Sequence, residues 1–103
     1  MGEAFALKFG LLKERFRGRM IGDVDKLDHL ALQLAATDSN SEERKRIRDI
    51  AHRLAGTAGT FGYPDLTERA AHVEKMADVA CGNSALAETA RLLSRGIREV
   101  MDF

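Results

Sequence analysis

The stretch His52-Arg53-Leu54-Ala55-Gly56-Thr57-Ala58-Gly59-Thr60-Phe61-Gly62 decides how this chain reads. Leu54, Ala58 and Phe61 continue the helical spacing of Ile47, Ile50 and Ala51. Three glycines interrupt it, although a glycine inside a helix costs roughly 0.8–1.0 kcal/mol relative to alanine. At about 100° per residue the apolar positions fall opposite His52. Lys45, Arg48, Ala55, Gly56 and Gly59 fall beside it. The pattern therefore predicts an exposed histidine with bases toward the helix N-terminus and very small residues toward its C-terminus. A large partner surface can reach such an imidazole without meeting side chains.

Working outward, the segments on both sides are also helical in period. Residues 4–36 carry Leu12, Phe16, Met20, Val24, Leu27, Leu30, Ala31 and Leu34 at three- and four-residue steps. Gly10 suggests a break, giving a short first helix and a long one to about Ala36. Thr37 to Ser41 reads as a turn, with Asn40 and Glu43 as a capping box. The histidine helix runs from about Ser41 to Phe61. Gly62 is placed to stop it, and Pro64 to start the next helix. That helix extends to about Ala80, with Leu66, Ala70, Val73 and Ala77 on one face. Gly82-Asn83-Ser84 forms a second turn, with Asn83 or Ser84 as cap. A last helix over about 84–101 repeats the pattern with Leu86, Ala90, Leu93, Ile97 and Val100. No segment alternates with period two over a useful length. The expected fold is all-α: an antiparallel four-helix bundle with a short extra N-terminal helix, forming one domain over residues 1–103.

Composition narrows the function classes. Sixteen bases balance sixteen acids, which argues against a dedicated nucleic-acid binder. No apolar run reaches the roughly 18 residues of a membrane span, and the first residues do not read as a signal peptide. A cytoplasmic protein with no nucleic-acid and no membrane partner is expected. Cys81 is the one cysteine and reads as a small buried apolar residue. Without a second histidine at i+4 there is no zinc motif, so no metal site is expected. No Walker-type loop is present either. His29 and His72 read as ordinary surface histidines. What remains is the His52 imidazole, a nucleophile when neutral, able to accept a transferable group and release it. With bases alongside, that group is phosphoryl.

The motif His52-Arg-Leu-Ala-Gly56-Thr-Ala, with glycines closing the helix, resembles the signature of histidine-containing phosphotransfer (HPt) domains. The order of helices and the Gly–Pro turn resemble that family too. The resemblance implies a phosphorelay intermediate. Its His52 takes phosphoryl on Nε2 from the aspartate of one receiver domain and passes it to the aspartate of another. It implies response-regulator receiver domains and a hybrid histidine kinase as partners. It also implies a phosphocarrier without an ATP-binding or kinase catalytic domain of its own, and Mg²⁺ brought by the receiver rather than bound here. Ala55, Gly56 and Gly59 would form the docking surface. The family often has lysine where this chain has Ala55, so Arg48 or Lys45 would neutralise the phosphoryl group instead. The competing reading of those bases is a solvated helix face. Glu74 matches a family position that is often polar near the imidazole. It would hold the Nδ1 proton, or else form an ordinary surface salt bridge. The missing lysine also leaves room for an adaptor that binds receivers through this surface without transferring phosphoryl. A monomer is expected, unless Phe5, Phe9 and Leu11 pair with a partner.

Overall fold

The computed structural model describes residues 2–36, 41–79 and 82–102. Among these residues there are four helices: α1 (Gly2–Ala35), α2 (Ser41–Thr57), α3 (Pro64–Asp78) and α4 (Asn83–Met101). The bundle expected from the periodicity is present. His52 meets Glu74 and Arg48 meets Asp78, so α2 and α3 run antiparallel. Asp23 meets Arg53, which places α1 antiparallel to α2. Thr89 bonds the Met76 sulfur, and Arg69 lies against Gly96, so α4 runs antiparallel to α3.

The core collects the residues that the three- and four-residue spacing selects. Phe16, Met20, Val24, Leu27, Ala31 and Leu34 of α1 meet Ile47, Ala51 and Leu54 of α2. Leu66, Ala70 and Val73 come from α3, and Leu86, Ala90, Leu93 and Ile97 from α4. Each fully buried Leu, Ile or Val contributes roughly 1.5–3 kcal/mol of transfer free energy. Val100, expected in this core, is exposed, and Met101 fills the place one residue on.

Several local expectations change. There is no break at Gly10, and so no separate short N-terminal helix: α1 is continuous over 34 residues. A lone glycine lowers helix stability without ending the helix. Here Phe9, one residue earlier, stacks on Phe5 and lies against Phe61. The α-helix that holds His52 stops at Thr57 rather than Phe61, and a single 3₁₀ turn, Gly59–Phe61, follows. Gly62, at φ 93°, supplies the left-handed stop. The Phe61 and Tyr63 amides both return to the Ala58 carbonyl, which tightens the chain enough for Pro64 to open α3 at once. The third helix ends at Asp78, short of Ala80, and Ala77 is partly buried. Neither Asn83 nor Ser84 caps α4. Gly82 is its N-cap, and the Leu86 amide bonds the Gly82 carbonyl. Asn83 instead accepts from Arg44, whose guanidinium also donates to the Met76 and Val79 carbonyls at the end of α3. That arginine ties α2 to the α3–α4 turn. The proposed Asn40 cap and Cys81 lie outside the described residues.

α1 also outruns the bundle. At 1.5 Å per residue its 34 residues span about 51 Å, against roughly 23–29 Å for the others. The molecule measures 53 × 23 × 20 Å. Phe9 already packs on Phe61 of the 3₁₀ turn and full burial on α1 begins at Phe16, so about two turns, residues 2–8, project past the 3₁₀ turn. No helix among the described residues is long and apolar enough to cross a membrane.

Candidate functional site

α2 positions His52 by turning its apolar stripe inward. Ile47, Ile50, Ala51, Leu54 and Ala58 are buried, and the imidazole on the opposite side is 76% exposed. α3 then supplies a partner. His52 Nδ1 lies 2.6 Å from Glu74 Oε2. With its proton on Nδ1, the ring donates to the carboxylate, and the Nε2 lone pair faces outward. Glu74 is more enclosed than the histidine, at 28%, so the more fixed group orients the more exposed one. The wheel of α2 alone places His52 far from neighbouring helices. The register of α3 brings one within reach.

The two bases proposed beside the histidine are placed differently. Arg48 Nη1 donates to Asp78 Oδ1 at 3.3 Å, and its Nη2 lies 3.7 Å from Asp49. Lys45 shares a shallow groove with Arg44, Arg48, Ala77 and Asp78. It has no ion pair among the described residues. Both Arg48 contacts are solvent-exposed, a class of ion pair typically worth 0–1 kcal/mol.

The small residues differ as well. Nothing stands within 4 Å of where a Gly56 side chain would begin, so this glycine is open surface. Gly59 is exposed too, but a Cβ there would sit 3.3 Å from Thr67 Oγ1. Its lack of a side chain therefore serves the packing of the 3₁₀ turn on α3 as well. Ala55 is partly buried against the core. His29 and His72 are both exposed, on α1 and α3. Among the described residues no group of His, Cys, Asp and Glu is arranged to hold a metal ion.

One feature beside the site went unread in the sequence. Asp23 is 2% exposed and receives Arg53 Nη2 at 2.8 Å. Its position was legible: it lies three residues after Met20 and four before Leu27, on the buried stripe of α1.

An exposed imidazole held through Nδ1 by a carboxylate of the neighbouring helix has its other ring nitrogen free for a partner. A family model for the Hpt domain matches residues 12–102, and the chain belongs to that family. Hpt domains act in two-component phosphorelays as phosphocarriers, not kinases, and interact with receiver domains. No curated protein and no solved structure matches the chain significantly.

Proposed function

We propose that His52 is the phosphoryl-accepting residue of this domain and passes the group between receiver aspartates. The observation that carries this is the Nδ1 contact with Glu74 on an imidazole that is 76% exposed, which leaves Nε2 free for a partner. In the acceptance step Nε2 attacks the phosphorus of a receiver aspartyl phosphate. The new N–P bond forms as the P–O bond to the aspartate breaks, and the carboxylate leaves with the bond's electrons. The product is a phosphorylated ring that keeps its Nδ1 proton and is therefore cationic. Glu74 sits where it stabilises that charge. The donation step is the reverse reaction toward a second aspartate. The receiver brings Mg²⁺, because transfer needs charge neutralisation and alignment more than groups from the carrier.

Arg48 is the cation one turn from His52 able to swing to the phosphoryl group, since the ion pairs it leaves are weak. Lys45, a turn further back, adds positive potential. Ala55 removes the cation from the position nearest the histidine. That single difference favours the second reading, an adaptor that recognises receivers and holds no phosphoryl group. Incubation with a phosphorylated receiver separates the two readings. Acid-labile, base-stable label on this chain supports the carrier. Measurable receiver binding with no label from any cognate receiver supports the adaptor.

Two substitutions test the site's parts. Glu74→Gln is expected to slow acceptance about tenfold, the scale of one charge-assisted hydrogen bond of about 1.5 kcal/mol. Single-turnover transfer from a phosphorylated receiver measures it, and an unchanged rate removes Glu74 from the mechanism. Gly56→Glu is expected to abolish receiver docking while leaving the circular dichroism spectrum and unfolding midpoint nearly unchanged. Its added side chain meets nothing in the folded chain. Gly59→Glu is the less clean probe, because it also presses on Thr67.

A further inference from the structure

The zero net charge of the chain conceals a segregated one. Lys8, Lys13, Arg15, Arg17 and Arg19 fall between residues 8 and 19, against the single acid Glu14. The segment before Lys13 carries exposed large apolar side chains, and its first two turns project past the Phe9–Phe61 contact, while the bases from Lys13 onward flank the end of the bundle, with Lys13 over the Tyr63 ring and Phe16 buried. Phe5 is 69% exposed, Leu7 72%, Leu11 65% and Leu12 44%. Residues 2–11, with Phe5, Leu7, Leu11 and Lys8, lie outside the region the family model matches, while Leu12 and the bases from Lys13 onward lie inside it. We propose that residues 4–19 of α1 form a docking surface for anionic lipid membranes, with the apolar side chains in the interface and the bases on the headgroups.

Two features point to lipid rather than to another helix. The first is how the apolar side chains are distributed. Leu7 and Leu11 stand roughly 100–160° around the helix from Phe5 and Leu12. A partner helix covers a stripe on the order of 100° wide and leaves one of these pairs in water, whereas a lipid interface surrounds both. The second is the order along the axis. After Glu3 in the first turn the apolar residues come first, and four of the five bases follow from residue 13. A membrane has that gradation in depth, from acyl chains to charged headgroups. Lys8, inside the apolar part, reaches the headgroups along its own methylene stem. A second copy of the chain is the poorer occupant. Lys8, Lys13 and Arg15 border the Phe5–Phe9–Leu12 stripe, so two copies would set bases against bases.

This departs from the expectation of no membrane partner, which rested on span length and whole-chain charge. It leaves the phosphoryl site accessible. His52 lies at the level of Asp23, about 18 Å along α1 from Leu11.

Co-sedimentation of the full chain with vesicles tests the proposal, using phosphatidylcholine alone and phosphatidylcholine with about 30% phosphatidylglycerol. The expected result is about tenfold stronger partitioning to the anionic vesicles, weakening as salt rises. Leu7→Glu combined with Leu11→Glu should reduce it about tenfold or more. Leu32→Glu, equally exposed on the same helix within the bundle, should leave it unchanged. Circular dichroism confirms that each variant is folded. Equal partitioning to both vesicles, or full binding by the double variant, overturns the proposal. So does a dimer seen by light scattering that the double variant dissolves, which assigns the surface to a second copy. Phosphoryl transfer is not the readout, so failure here leaves the His52 reading intact.

Discussion

His52→Gln is expected to lose all measurable phosphoryl acceptance while the bundle stays folded. Glutamine offers no nucleophilic nitrogen, since its amide lone pair is delocalised, but it keeps a helix-compatible unbranched stem. The substituted side chain is 76% exposed and opposite the core, so no packing is lost and the unfolding midpoint should move little. The loss must therefore be chemical. The measurement is label retained after mixing with a phosphorylated receiver, scored for acid lability and base stability. Receiver binding is measured beside it and should survive, because Gly56 and the rest of the landing surface are untouched. Two further histidines are the internal controls. His29 and His72 are also exposed but have no hydrogen-bond or ion-pair partner among the described residues. His29→Gln and His72→Gln should label like the wild type. Label that persists in His52→Gln would place the acceptor elsewhere and end the present reading.

The reach of the sequence differs between these features for physical reasons. Periodicity located the core because burying an apolar stripe is the main gain available to a helix, and one helix's own geometry determines which residues share a face. The exposure of His52 and the openness at Gly56 follow from α2 alone. The Glu74 contact does not. It depends on how α3 is set against α2, and the tight turn at Ala58–Tyr63 fixes that register. The same setting pairs Arg48 with Asp78 and lays Gly59 on Thr67. The break assigned at Gly10 failed for a related reason. Local propensity weighs a glycine at about 1 kcal/mol, but contacts of Phe9 with Phe5 and Phe61 around it belong partly to tertiary structure. The α-helical part of α2 ends early because a 3₁₀ turn precedes the Gly62 stop, and α3 ends at Asp78, where Arg44 of α2 takes the Met76 and Val79 carbonyls, a contact set by how the two helices pack.

Arg53→Ala is expected to destabilise the bundle by about 2–3 kcal/mol, although Arg53 is itself nearly half exposed and adjoins the reactive histidine. The cost arises on the other side of the pair. Asp23 is 2% exposed, with Arg53 on Oδ1, and Oδ2 is buried without a hydrogen-bond partner among the described residues. Removing the guanidinium leaves a carboxylate in the α1–α2 seam with no compensating donor. Desolvation of an unpaired buried charge far exceeds the value of a surface ion pair. A cleft of about 440 Å³, lined by Lys26, Arg46 and Arg53 itself, adjoins the seam. Water entering there would relieve part of the penalty, which is why the expected value lies below the 3–5 kcal/mol of a fully enclosed broken pair. The asymmetry is the test. Asp23→Leu combined with Arg53→Met removes both charges, keeps comparable volume and should restore most of the loss, because an apolar pair fits the stripe between Met20 and Leu27. Chemical denaturation of the two variants beside the wild type measures the difference. If Arg53→Ala costs no more than the double variant, the buried carboxylate is already well solvated and the pair is ordinary surface charge. Phosphoryl acceptance by folded Arg53→Ala should stay near the wild-type rate. Arg53 is bonded away from His52 toward α1, so its charge anchors the helix that carries the histidine and does not serve the phosphoryl group.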